Sequence, residues 1–284
     1  MLQWAGMPRH LRLQYPGAIY HLMARGNGRQ DIVRDDHDRR RLLEAFARAV
    51  ARCSWRVYAF VIMSNHLHLV LKTPEPNLAR GMQALLSSYA NAWARRHRFA
   101  GHVFQGRYRS ELVEDETYLW TVTRYVHLNP VRARLVEHPA AWPWSSYPGY
   151  AYRGRRSEWV AYDELLASWG GAGGGPDPAG AYRRYVTAGL SEPVESPWES
   201  AHHGWILGSR TFADRVGAMV RGGPARERRR ESLRAGIRSS ASARRSAPPT
   251  RSSRASWAAA AAATRCGRRS PTWRGGGRWP PTPS

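Results

Sequence analysis

Cysteine is nearly absent from this 284-residue chain. Only Cys53 and Cys266 occur, far apart, so no disulfide framework is possible and a reducing, cytoplasmic setting is expected. Lysine is rarer still. The single Lys72 lies in no glycine-rich context, which removes a Walker-type phosphate loop and any expectation of ATP use. No apolar run approaches the length of a membrane span, and the N-terminus lacks the apolar core of a signal peptide. Acidic residues are scarce, 21 against 44 Lys and Arg, for a net charge of +23. Such an excess points to a polyanionic partner, and for a cytoplasmic chain to the nucleoid. The charge is uneven: residues 219–284 hold 16 Arg and 2 Glu, leaving +9 of the +23 on the first 218 residues. Arginine dominance of this degree is also what a GC-rich coding sequence produces.

What is present reads as an α+β chain. Residues 17–25 alternate as a strand, with Ile19, His21 and Met23 against Tyr20, Leu22 and Ala24. Gly26-Asn27-Gly28 marks a turn. Asp35 and Asp36 supply capping chemistry for a helix whose apolar face is Leu42, Leu43, Phe46, Ala49, Val50 and Cys53. Residues 55–63 form a second strand, and 65–72 either continue it or return as its hairpin partner. Leu78, Met82, Leu85, Leu86, Tyr89 and Trp93 give the clearest amphipathic helix. Residues 103–113 are strand-like. Asp115 opens a third helix with Leu119, Val122 and Val126 inward, and Pro130 is expected to end it. The order β-α-β-β-α-β, then a helix, predicts a ferredoxin-like antiparallel sheet with helices on one face. Trp142-Pro143-Trp144-Ser145-Ser146-Tyr147 reads as an aromatic loop folded back on this domain.

Chemistry concentrates first at His66-Leu67-His68. On a strand both imidazoles point to one face and make half of a metal site. The same pattern is also read as two half-buried structural histidines. No further Cys/His cluster completes a zinc site: His202 and His203 lie in a loop, and His97 and His102 read as basic surface. An oxygen or amide third ligand suits magnesium or manganese more than zinc. Tyr125, late on the third helix, shares a face with Asn129 four residues on. Alone it reads as a core tyrosine beside Val122 and Val126, and Asn129 as a helix-ending residue before Pro130. Together with a bound cation, a phenol could attack a phosphodiester. Arg25, Asn27 and Arg29 bracket the first turn, Arg107 and Arg109 alternate with Tyr108, and Arg124, Arg132 and Arg134 flank the third helix. These could hold phosphates, with Phe104 and Tyr108 stacking unpaired bases, or be solvated arginines and core aromatics.

Five ordered segments carry a resemblance. They are Gly26-Asn27-Gly28-Arg29, Met63-Ser64-Asn65-His66-Leu67-His68, Gly101-His102-Val103-Phe104-Gln105-Gly106-Arg107-Tyr108, Arg124-Tyr125-Val126-His127-Leu128-Asn129-Pro130-Val131-Arg132 and Trp144-Ser145-Ser146-Tyr147. Together they resemble the REP-associated tyrosine transposases, a branch of the HUH single-strand transposases, over roughly residues 8–150. The resemblance implies a ferredoxin-like HUH domain and a divalent metal, Mg2+ or Mn2+, on His66, His68 and Asn129. It implies Tyr125 as nucleophile, with cleavage of single-stranded DNA near hairpin-forming repeats through a 5′-phosphotyrosine. Arg25, Asn27, Arg29, Arg107, Arg109, Arg124 and Arg132 are then the expected DNA-binding residues. Ser64 stands where the family often has Pro, which should alter only the turn.

The expected division is a catalytic domain over residues 8–150, a Gly/Pro-containing linker over 151–180, a short helical region over 181–221 and an Arg-rich disordered tail over 222–284. Six consecutive alanines, and no Leu, Ile or Val after Ile237, fit an out-of-frame tail. The sequence leaves open a monomer or homodimer. It also leaves a non-catalytic nucleic-acid-binding derivative, and a zinc hydrolase built on His-x-His, as other readings.

Overall fold

The computed structural model describes residues 13–114, 116–170, 176–191, 196 and 201–222. All of them lie in one compact unit, Met1–Arg226. The tail expected to be disordered over 222–284 lies outside the described residues except for Gly222.

Strand β1 (Ala18–Arg25) leads through a 3-10 turn at Asn27–Arg29 to helix α1 (Asp36–Cys53). The side chain of Asp35 accepts a hydrogen bond from the Asp38 backbone N–H, which caps α1 as its sequence predicts. Strands β2 (Arg56–Ile62) and β3 (His66–Thr73) form a hairpin about Ser64-Asn65, so the open choice resolves to two strands. Helix α2 (Leu78–Arg96), strand β4 (Arg109–Val113) and helix α3 (Glu116–Arg132) follow. The sheet order is β2-β3-β1-β4-β5, with β1 antiparallel between β3 and β4. Its first four strands, with α1 and α2 as crossovers, are the expected ferredoxin-like arrangement.

Alternation along the strands separates two faces. Leu67, Leu69, Tyr20, Leu22 and Phe60 are buried on one, where Phe46 of α1 meets Phe60 at 6.0 Å between ring centroids. His66, His68, His21 and Glu111 project from the other, which α3 covers through Tyr125. Helices therefore lie on both faces once α3 is included, because its apolar side, Leu119, Val122 and Val126, needs a surface of its own to bury.

Four sequence expectations change. Strand β5 (Ile206–Leu207) pairs parallel to β4, so the sheet is mixed rather than antiparallel; it covers an edge that β4 would otherwise expose. Strand β4 begins at Arg109, six residues later than the strand-like run. Only an isolated bridge, Gly26 to Phe104, marks the earlier part, because that part wraps the end of β1. Pro130 sits inside the last turn of α3 instead of ending it. Its missing N–H costs one bond, while its carbonyl and that of Asn129 still accept from Leu135 and Ala133. The stretch read as a linker, residues 151–180, contains helix α5 (Tyr162–Gly170) and the start of α6 (Pro178–Ala188). There the Ala161 N–H donates to the Val57 carbonyl, Tyr58 donates to Glu164, and Tyr162 and Leu165 are buried. Apolar surface on α5 and α6 makes this part of the same core. Helix α7 (Arg210–Gly222) adds Phe212, Ala213 and Val216 to it.

The aromatic loop folds back as expected. Ser145 bridges to Val61, Ile62 donates to the Trp144 carbonyl, and Ser146 donates to that of Phe60. Helix α4 (Tyr147–Ala151) follows it. Both edges of the four-stranded core are thereby covered.

Candidate active site

Strand register builds the centre. On β3, His66 pairs with Arg25 and His68 with Met23, so both imidazoles share a face, their ring centroids 5.1 Å apart. Helix α3 crosses this face and places the Tyr125 ring 6.0 Å from that of His68. Asn129, one turn on, donates through Nδ2 to the Tyr125 carbonyl at 2.9 Å. Only the amide nitrogen can donate, so Oδ1 is left for other partners. Asn129 also interacts with the His66 ring in a way that favours its protonated form, as an amide oxygen does. One chain thus brings together His66, His68, Tyr125 and Asn129.

The protonation chemistry suits a ligand role. Asn65 Oδ1 lies 2.7 Å from His66 Nδ1; since Oδ1 can only accept, Nδ1 carries the hydrogen and Nε2 keeps its lone pair. Burial, and then the charge of Arg25, push His66 down to about 4. Burial, followed by the neighbouring His21, His66 and Arg25, lowers His68 well below its ordinary value. Both imidazoles are neutral at physiological pH, the form that binds metals. Two imidazoles and an amide oxygen fit a divalent cation with water completing the shell. Among the described residues, no group of three or more His, Cys, Asp and Glu side chains is arranged to hold a metal. The candidate centre therefore depends on Asn129 as its third protein donor.

Loops complete one rim. A Cβ at Gly26 would run into the Gln30 carbonyl, and Gly28 has φ +58, so the Gly26-Asn27-Gly28 turn needs its glycines. Asn27 N–H donates to the Val103 carbonyl and Gln105 N–H to that of Arg25. Asn65 donates through Nδ2 to the Arg29 carbonyl. Three of the sequence motifs are therefore laced together beside His66. Asn27, Arg29 and Arg107 are exposed there, while Arg25 and Phe104 are half-buried.

Other expected DNA contacts are placed differently. Arg109 is exposed but lies 3.5 Å from Glu111. Arg124 packs its guanidinium 4.6 Å from the Tyr185 ring of α6, and Arg132 lies 4.4 Å from the ring of Tyr125. Tyr108 is buried in the core and unavailable for base stacking, because the chain just before β4 turns its side chain inward. His97 is not surface: it is largely buried, 2.8 Å from Asp38, at the end of α2. His102, His202 and Arg134 lie in loops, His202 half-exposed and the other two exposed.

Sequence reasoning missed two buried supports. His21 on β1 pairs across the strands with Glu111 on β4, Nδ1 to Oε2 2.9 Å, and its Nε2 lies 2.8 Å from His68 Nδ1. His21 was legible only as a histidine alternating within an apolar strand. The second support is His127, fully buried on α3, with Ser146 Oγ at 2.8 Å on one nitrogen and the Tyr182 hydroxyl at 2.9 Å on the other. Burial pushes it down to about 3. Ser146 Oγ also accepts from Phe60 N–H, so the aromatic loop ties the helix bearing Tyr125 to strand β2.

Residues 14–129 match the family described as IS200-like transposase. A solved structure of a REP-associated tyrosine transposase bound to a REP hairpin is similar at 17% identity, covering 53% of this chain and 89% of that one, with a TM-score of 0.46. A transposase candidate from Deinococcus radiodurans R1 is similar at 18% identity, covering 42% and 95%, with a TM-score of 0.31. No curated protein matches the chain. The resemblance drawn from the five motifs is borne out at family level: residues 14–129 match the model of the IS200-like transposases.

Proposed function

We propose that this transposase cleaves and rejoins single-stranded DNA at hairpin-forming repeats, with Tyr125 as nucleophile and His66, His68 and Asn129 holding a divalent cation, Mg2+ or Mn2+. The observation that carries the reading is the convergence of the Tyr125 ring, the His66 and His68 imidazoles and the Asn129 amide within one chain. A nucleophile and its cation site on the same chain let a single subunit perform cleavage.

The phenolic oxygen attacks the phosphorus of the scissile phosphodiester, and the bond to the 3′ oxygen breaks. The phenol's proton passes to water, the departing oxygen takes one up as a 3′-OH, and the 5′ side remains joined to Tyr125. Attack by another 3′-OH reverses the step and joins a new strand, with no external energy source. A free phenol titrates near pH 10, so its attack at neutral pH needs support. The bound cation would polarise the phosphate as a Lewis acid. Arg132, half-buried over the Tyr125 ring, stabilises the developing phenolate. Arg25, Asn27, Arg29 and Arg107 hold the strand's backbone along the rim, with Phe104 offering a stacking surface. Arg109 and Arg124 lie at the margins of this surface.

The test is a denaturing gel of the full chain incubated with a hairpin oligonucleotide and Mn2+. A covalent adduct is expected with the wild type and not with Tyr125→Phe. An equal adduct in that variant, or hairpin binding with no adduct in any preparation, would favour the non-catalytic DNA-binding alternative.

A further inference from the structure

Three adjacent strands of the sheet each bring a buried polar side chain to the same face: His68 on β3, His21 on β1 and Glu111 on β4. All three are at least 95% buried as residues. The rings of His21 and His68 are stacked, 5.0 Å between centroids and 26° between planes. We infer that His21 and Glu111 are positioning residues, a relay that fixes His68 as the Nδ1–H tautomer and so aims its Nε2 lone pair at the cation site. This rests on the proposed metal role of His68.

Donor and acceptor chemistry sets the direction. The Glu111 carboxylate can only accept, so His21 Nδ1 carries the hydrogen of the 2.9 Å bond. With one proton on its ring, His21 then offers Nε2 as an acceptor. When His21 carries that single proton, the 2.8 Å contact takes its hydrogen from His68 Nδ1. His68 Nε2 is left bare, on the ring that faces His66 and Tyr125. Metal-bound histidines usually donate their other N–H to a carboxylate or carbonyl. Here an imidazole is interposed between them, because the carboxylate lies two strands away. Arg109, 3.5 Å from Glu111 Oε1, is the charged group at the outer end of the row. His66 does not share this relay; Asn65 fixes its tautomer instead.

Two measurements on the full chain test the relay, and neither needs turnover. Long-range 1H–15N NMR of the metal-free wild type should show His68 protonated at Nδ1; protonation at Nε2 would overturn the inference. Titration with Mn2+, read by EPR, should show about 10- to 100-fold weaker binding for His21→Phe and for Glu111→Leu. His21→Gln, which restores an acceptor, should recover part of the loss. Wild-type Mn2+ affinity in both His21→Phe and Glu111→Leu would overturn the inference. If His21→Phe does not fold, Glu111→Leu and the wild-type spectrum still decide. If the relay measurements succeed while Tyr125→Phe forms an undiminished adduct, the nucleophile assignment fails and the relay stands. If the wild type itself binds no Mn2+, the metal reading fails along with the relay.

Discussion

The guanidinium of Arg132 lies 4.4 Å from the centroid of the Tyr125 ring, both side chains carried on α3. Burial lowers the Arg132 pKa, as expected of a cation withdrawn from water, and the hydrogen bond to Tyr125 counters it. A cation held over an aromatic face contributes about 0.5–2 kcal/mol. Arg132→Ala should therefore slow adduct formation about tenfold. Metal-free binding of the same hairpin should weaken much less. A rapid-quench time course with saturating oligonucleotide separates the two effects.

Asn129 should matter to the cation more than to the fold. Its Oδ1 is the third protein donor of the candidate site, and its Nδ2 bond to Tyr125 merely repeats a helical contact. Asn129→Ala should weaken Mn2+ binding about tenfold or more while changing the melting temperature little. Calorimetric Mn2+ titration alongside thermal melting would show this. Unchanged Mn2+ affinity would remove Asn129 from the ligand set.

Ser146 should matter to the fold. Its hydroxyl pairs with His127 and accepts from Phe60 N–H, and the residue is buried. Ser146→Ala leaves both partners unsatisfied, at about 1–3 kcal/mol. Melting should fall by about 2–4 °C per kcal/mol. Cleavage at low temperature should survive, since Ser146 touches neither His66 nor Tyr125.

Much of this site was legible as pattern. Alternation through His66-Leu67-His68 put two imidazoles on one face because a strand's period is two. The spacing of Tyr125 and Asn129 put both on one side of a helix. The His21–Glu111 pair was not legible, since it joins strands 90 residues apart and depends on their register. Strand β5, two residues long, carries too few positions for any period to show. Residues 151–180 read as linker because Gly and Pro cluster near their end. The burial of Tyr162 and Leu165, which makes the stretch core, depends on partners distant in sequence.

Acid should destabilise the fold. His127 is neutral in the folded chain and pushed down to about 3, while an unfolded imidazole titrates near 6.5. Between those values the unfolded state binds the extra proton, so stability is full above about pH 6.5 and is lost as pH falls toward about 3. His66, pushed down to about 4, acts in the same direction. Urea midpoints should fall steadily on acidification, with a shallower slope in His127→Gln. A flat or rising midpoint would contradict this assignment of neutral, buried imidazoles.

The most direct measurement is mass-spectrometric mapping of the covalent adduct formed with a hairpin oligonucleotide and Mn2+. The account predicts one modified peptide, carrying a 5′-linked nucleotide on Tyr125, formed by the wild type and abolished when His66 and His68 are both replaced by Ala. A nucleotide on any other residue, or an equal yield of the Tyr125 adduct without the two histidines, would contradict it.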